Sequence, residues 1–170
     1  MVKVHSGGSR ARSQARRLAL QGLYQWQLSG ATAADISAQL RASQKTRDTD
    51  TGYFEALLDA TITDCNTLEA LFGVHLDRPL AQLDPVERGI LLIGTCELRS
   101  HPEVPYRVVL NEAVELSKKF GAADGHKYIN AVLEKVCAQV RSAEFKQGTR
   151  TGQDFSSPHP SSPRRGEADK

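Results

Sequence analysis

The segment DPVERGILLIGTCEL, residues 84–98, places the strongest constraint on the fold. Asp84 is a capping residue, Pro85 suits a first helical position, and Glu87 stands three residues after the cap, where a capping box closes. Behind this start Ile90, Leu91, Leu92, Ile93, Cys96 and Leu98 leave almost no polar face. A helix apolar nearly all round has to be enclosed by others, and the flanking chain supplies them. Ala15, Ala19, Gly22, Leu23 and Trp26 give a buried face to a helix over 9–28, and Ile36 and Leu40 to one over 33–42. Phe54, Leu57, Leu58, Ile62, Cys65, Leu68 and Leu71 do so for one long helix over 51–72, stopped by Gly73. Two more lie in 104–140. Pro105 opens the first, Val109, Ala113, Leu116 and Phe120 form its apolar stripe, and Gly121 closes it as a left-handed cap. Ile129, Val132, Leu133, Val136 and Val140 make the stripe of the second. No stretch alternates with period two for long enough to demand a strand, so the expectation is an all-α bundle of six to seven helices.

At 170 residues the chain supports one domain. Residues 1–8 read as a disordered lead, 9–143 as the helical domain, and 144–170, rich in Gly, Ser, Thr and Pro, as a disordered tail. Net charge is only +2, but residues 1–27 carry five basic side chains and no acid, on a body that is net acidic. Such a basic end suggests an electrostatic arm. Cys65, Cys96 and Cys137 are odd in number and set in helical patterns, which suits small core residues in a reducing compartment. No zinc-type spacing occurs and no apolar run reaches membrane-spanning length, so neither metal nor membrane is expected and the location expected is cytoplasmic.

Motifs for an enzyme are absent: no phosphate-binding loop, nucleophile elbow or His-Glu-x-x-His. No catalytic residue or cofactor is expected. Glu112 and Glu115 near Lys118 and Lys119 read as a solvated ion-pair face. Arg10, Arg12, Arg16 and Arg17 have two readings, a solvated helix end or contacts to phosphate, since guanidinium pairs bidentately with phosphate and stacks on bases. Tyr24 on the same helix is either a rim-of-core residue or an aromatic surface for an unpaired base. Asn111 and Asn130 interrupt apolar patterns and are read as buried ties between helices. Asp124 is a turn or cap residue, and Lys127 and Tyr128 are the better ligand contacts there.

The stretch VPYRVVLNEAVELSKKFGAADGHKYINAVLEK at 104–135, with ALQGLYQWQLS at 19–29 and LDPVERGILLIGTCEL at 83–98, resembles the NusB family of bacterial transcription antitermination factors. The likeness covers about residues 9–143. It implies two packed three-helix units and a non-enzymatic role: binding the single-stranded boxA element of ribosomal RNA leaders together with NusE, the small-subunit ribosomal protein S ten, within an RNA polymerase elongation complex holding other Nus factors. By position it implies RNA contacts at Arg10, Arg12, Arg16, Arg17, Tyr24, Asp124, His126, Lys127 and Tyr128, and a partner or RNA edge at Glu87. The arginine cluster is thinner than in some members, and Gly125 stands where serine is common. Two alternatives come from other classes. The same helical domain resembles the RNA-binding part of ribosomal RNA cytosine methyltransferases, whose cofactor domain this chain has no room for after residue 143. The other alternative is a helical protein-interaction module.

Overall fold

A computed structural model describes residues 6–43 and 46–153. Among them run eight α-helices: α1 (Ser6–Ser29), α2 (Ala33–Ala42), α3 (Thr51–Thr63), α4 (Cys65–Gly73), α5 (Pro85–Ser100), α6 (Tyr106–Phe120), α7 (Gly125–Val140) and α8 (Ser142–Gln153), with a 3-10 turn at Leu80–Gln82 and no strand. The boundaries follow local chemistry. Gly30, at a φ of 68°, takes the left-handed position that ends α1, and its N–H donates to the Trp26 carbonyl at 2.8 Å. Thr32 caps α2 by accepting from the Asp35 N–H, and Asp84 caps α5 by accepting from the N–H groups of Val86 and Glu87, both at 2.9 Å.

The helices α1, α2 and α3 pack on one another, as do α5, α6 and α7; α4 lies on α5 and α7, and α1 against α5 joins the two groups. Helix α5 is buried from Gly89 to Leu98, as its sequence demanded. Two glycines set how near its neighbours come. A Cβ on Gly89 would stand 2.8 Å from the Leu20 side chain, and one on Gly94 would stand 2.7 Å from that of Leu133, so alanine at either would have to displace a leucine of α1 or α7. The three cysteines are free and buried.

Four expectations change. The long helix over 51–72 breaks at Asp64, one turn after Thr61 turns its hydroxyl back onto the carbonyls of Leu57 and Leu58 at 2.8 and 3.0 Å, a bond that bends helices. Gly121 is extended rather than left-handed; it is needed because a Cβ there would lie 2.7 Å from the Ser117 carbonyl, and Asp124 takes the left-handed conformation instead, at a φ of 63°. Asn111 is exposed and Asn130 half-buried, lining a groove between α6, α7 and α8 rather than tying a core.

The chain also stays helical past residue 143. Arg141, buried, donates to the carbonyls of Leu98 (2.7 Å), Val104 (2.6 Å), Glu97 (2.8 Å) and His101 (2.7 Å), and pairs with Glu144 at 3.2 Å. Glu144 in turn accepts from the Tyr106 N–H at 2.9 Å, Phe145 packs edge-on to Tyr106 at 5.7 Å, and Arg107 donates to the Gly148 carbonyl at 2.6 Å. Backbone capping by charged groups thus orders α8 where apolar content predicts no order. The rest of the expected tail, 154–170, and residues 1–5 of the expected lead lie outside the described residues.

Candidate nucleic-acid interface

Seven residues make two helical turns, so Arg10, Arg17 and Tyr24 fall on one line along α1 and Gln14 and Gln21 fill the gaps between them. Arg12 and Arg16 project from the other side. The arginine cluster therefore divides between two faces. Arg10 is exposed, and the Arg17 guanidinium lies 5.6 Å from the centroid of the Phe120 ring.

Arg12 lies over the Tyr53 ring at 4.6 Å and 3.9 Å from Asp50, with its side chain still 39% exposed. Arg16 is 3% exposed, its Nε 2.7 Å from a Glu97 carboxylate oxygen that is itself buried, and its Nη1 is 3.8 Å from Glu112. The Tyr53 hydroxyl donates to the same Glu97 oxygen at 2.6 Å. Burial opposes the Arg16 charge, but the adjoining Glu97 carboxylate outweighs it and holds the guanidinium's pKa above its ordinary value. Burial and then Glu97 push the Tyr53 phenol up as well. Arg16 is thus a strut joining α1 to α5 and α6, and the expectation that it touches RNA is corrected on that ground.

At the other end of α1, Tyr24 faces the start of α5 and the end of α6. Tyr24 and Phe120 are each 44% exposed and line one groove of about 520 Å³ with Val86, Leu18 and Leu20. Phe120 belongs to the expected apolar stripe of α6, yet it stands at the last position of the helix, half in solvent, with Lys119 Nζ 5.8 Å from its ring. Phe120, Gln14, Gln21 and Lys119 stand at this groove or beside it and are further candidates that the apolar stripes do not mark. The signal for the glutamines is their spacing of three and four residues from Arg10, Arg17 and Tyr24, which puts them on the same face of α1.

The 121–128 turn continues from Phe120. Asp124 and Lys127 are exposed and 3.6 Å apart, and His126 is half-buried. Tyr128 is half-buried: the Arg78 guanidinium lies 4.5 Å above its ring, and its hydroxyl accepts from the Asp77 N–H at 3.3 Å. Glu87 does not stand at an edge. It is buried beneath the turn, where a Cβ on Gly125 would lie 3.5 Å from its carboxylate and 3.6 Å from the Ser117 hydroxyl, and that hydroxyl is buried with no hydrogen-bond partner. Burial, and next the nearby Asp84 carboxylate, raise the Glu87 carboxyl above the usual range.

The structure thus brings Arg17, Tyr24, Phe120 and the 121–128 turn together at the end of α6, with Glu87 below them. Arg10 lies further along the same line of α1, about 20 Å from Tyr24 at 1.5 Å of rise per residue. Among the described residues, no group of three His, Cys, Asp or Glu is placed to hold a metal ion, and no helix is long and apolar enough to cross a membrane. A surface of this kind can bind a charged, partly aromatic polymer.

The chain as a whole is similar to known proteins. Residues 13–138 match the model of the NusB family. The chain is 52% identical over 134 residues to the transcription antitermination protein NusB of Paraburkholderia phytofirmans, covering 79% of this chain and 93% of that one. It is 45% identical over 150 residues to the protein of the same name from Nitrosomonas eutropha, covering 88% and 90%. A crystal structure of the antitermination factors NusB and NusE in complex with dsRNA superposes with a TM-score of 0.70 at 25% identity, covering 76% of this chain and 98% of that one. The fold of T. maritima NusB agrees at a TM-score of 0.63, over 79% and 96% of the two chains, with 21% identity. With the family's model matched over residues 13–138 and about half of the aligned residues identical to those of a protein of that name, this chain belongs to the NusB family.

Proposed function

We propose that this protein is a transcription antitermination factor. It binds the boxA RNA of ribosomal RNA leader transcripts together with NusE, the small-subunit ribosomal protein S ten, and acts by binding rather than by catalysis. Within that role it joins the RNA polymerase elongation complex and other Nus factors, and it works in the cytoplasm. The observation that carries the reading is the line Arg10–Arg17–Tyr24 on α1, which runs into Phe120 and the 121–128 turn in a chain of this family. Arginines along the line hold phosphates, and Tyr24 offers its ring to a base. Asp124, His126, Lys127 and Tyr128 extend the contact around the turn, Arg12 offers a partly exposed cation on the opposite face of α1, and Glu87 supports the turn from beneath. The ribosomal partner binds with it, a reading supported by the solved complex of NusB and NusE with dsRNA that this fold resembles.

The test is a titration of the full chain, with and without ribosomal protein S ten, into a labelled single-stranded boxA RNA over a range of salt. Binding is expected to weaken as salt rises. Reversing Arg10 and Arg17 to glutamate should weaken it further and flatten the slope of log affinity against log salt by about 0.7 for each phosphate no longer neutralised. Variants that bind as tightly as wild type, with the slope unchanged, would show that the RNA lies elsewhere.

A further inference from the structure

The groove between α6, α7 and α8, about 570 Å³, is left free by the proposed RNA contacts. It lies on another side of α6 from α1. Glu112 meets α1, accepting from the Ser13 hydroxyl at 2.7 Å, whereas Arg107, Asn111 and Val114, at helical spacing, turn to the groove. Leu110, Val114 and Phe145 give it an apolar lining, and α8 borders it beside Arg107, whose Nη2 donates to the Gly148 carbonyl at 2.6 Å.

Its polar groups stand in two facing pairs. Helices α6 and α7 pack side by side and run in opposite directions from the 121–124 turn. Ser117 is level with Gly125, where a Cβ would lie 3.6 Å from the serine hydroxyl. Counting back along α6 and forward along α7 from that level, at about 1.5 Å per residue in each, brings Asn111 opposite Asn130 and Arg107 opposite Glu134. Arg107 and Glu134 are exposed, and among the described residues neither is ion-paired: Arg107 donates to a carbonyl, and Glu134 accepts from the Asn130 amide at 3.1 Å. Asn111 is exposed as well.

Charge complementarity selects the occupant. A nucleic-acid strand would bring its phosphates against Glu134. An apolar helix would leave two charges and two amides unmet, over a stretch from Arg107 to Val114 that spans only about 10 Å of α6. An extended peptide meets every group. Its successive side chains point to opposite sides, so adjacent acidic and basic residues reach Arg107 and Glu134 on the two walls at once. Its backbone N–H and C=O groups match the acceptor and the donors of an asparagine amide. We infer that this groove binds an extended segment of a protein partner in which an acidic and a basic residue stand side by side. Asn111 and Asn130 hold its backbone, and Leu110 and Val114 receive a small apolar side chain next to the charged pair. The RNA surface stays open while the segment is bound.

The experiment pans a random seven-residue peptide library on phage against the full chain and measures, by fluorescence anisotropy, the affinity of the enriched peptides once synthesised. Enriched peptides should carry Asp or Glu next to Lys or Arg. Asn111→Leu should weaken them by about 5- to 100-fold, as expected for the loss of two hydrogen bonds, with the melting temperature unchanged. Glu134→Lys, which leaves the Arg107 contact with α8 in place, should weaken them too. Arg107→Glu combined with Glu134→Arg should prefer the same peptides with their two charges exchanged. A saturating single-stranded boxA RNA should leave peptide affinity as it was.

The inference is overturned if no peptide is enriched, or if the enriched peptides bind Asn111→Leu and Glu134→Lys as tightly as wild type. Displacement of the peptide by the RNA would overturn it as well, by making the groove part of the RNA path. So would a doubling of mass with concentration in sedimentation that Glu134→Lys abolishes, which would make the occupant a second copy of this chain.

Discussion

Arg16 and Glu97 form an ion pair at 2.7 Å that is almost wholly out of water, with the Tyr53 hydroxyl on the same carboxylate. Removing one member strands the other, which costs about 3–5 kcal/mol, whereas replacing both by apolar groups of similar volume is close to neutral. Urea unfolding should therefore show a large loss for Arg16→Ala and a much smaller one for Arg16→Met combined with Glu97→Leu and Tyr53→Phe, which leaves no buried hydroxyl without its acceptor. Glu87 offers a second test, through pH. Its folded carboxyl titrates above the usual range, so between the unfolded and folded values the native state holds a proton that the unfolded chain has lost. Stability from this group is then highest in acid and falls as pH rises through that window. Glu87→Gln should flatten the dependence of melting temperature on pH there, and be at least as stable as wild type near neutrality. Of these residues the sequence made only the type legible. Arg12 and Arg16 stand on the far side of α1 from Arg10 and Arg17, but only the presence of Glu97, eighty-one positions on, turns Arg16 inward.

Helix α8 shows why an element is missed. Its sequence, SAEFKQGTRTGQ, has one large apolar residue, Phe145, and two internal polar or glycine breaks in any stripe, which reads as tail. What orders it is charge meeting backbone: Glu144 on the Tyr106 N–H, Arg107 on the Gly148 carbonyl, and Arg141 across the end of α5. Such contacts join residues about forty apart and leave no periodic trace. Phe145→Ala should cost about 1–2 kcal/mol, below the ~3–5 kcal/mol of a fully buried Phe, and the amides of Ser142–Gln153 should exchange faster in hydrogen-exchange measurements. The other elements were legible because burial imposes a period on them. Helices α2, α5, α6 and α7 lie within a few residues of the ranges that their apolar stripes and caps predict. The break at Asp64 was hidden because α3 and α4 keep one apolar register across it.

At the scale of the molecule, the charge asymmetry of the sequence survives but is redistributed. Half of the arginine cluster is tied to the body, and the exposed half extends a line of polar residues that meets the turn before α7. That meeting is a product of packing, since α5 brings α1 within reach of the end of α6. The sequence supplies both parts and not their juxtaposition. The Arg141 cap carries a further implication, for the order in which the protein is made. The carbonyls it covers belong to residues 97–104, so the end of the central helix waits for a group that lies some forty residues downstream. A chain emerging from the ribosome N-terminus first has by then already produced α1, α5, α6 and the 121–128 turn. The residues of the surface proposed to meet RNA are therefore all synthesised before the one that seals the scaffold beneath them, and their final arrangement waits for it.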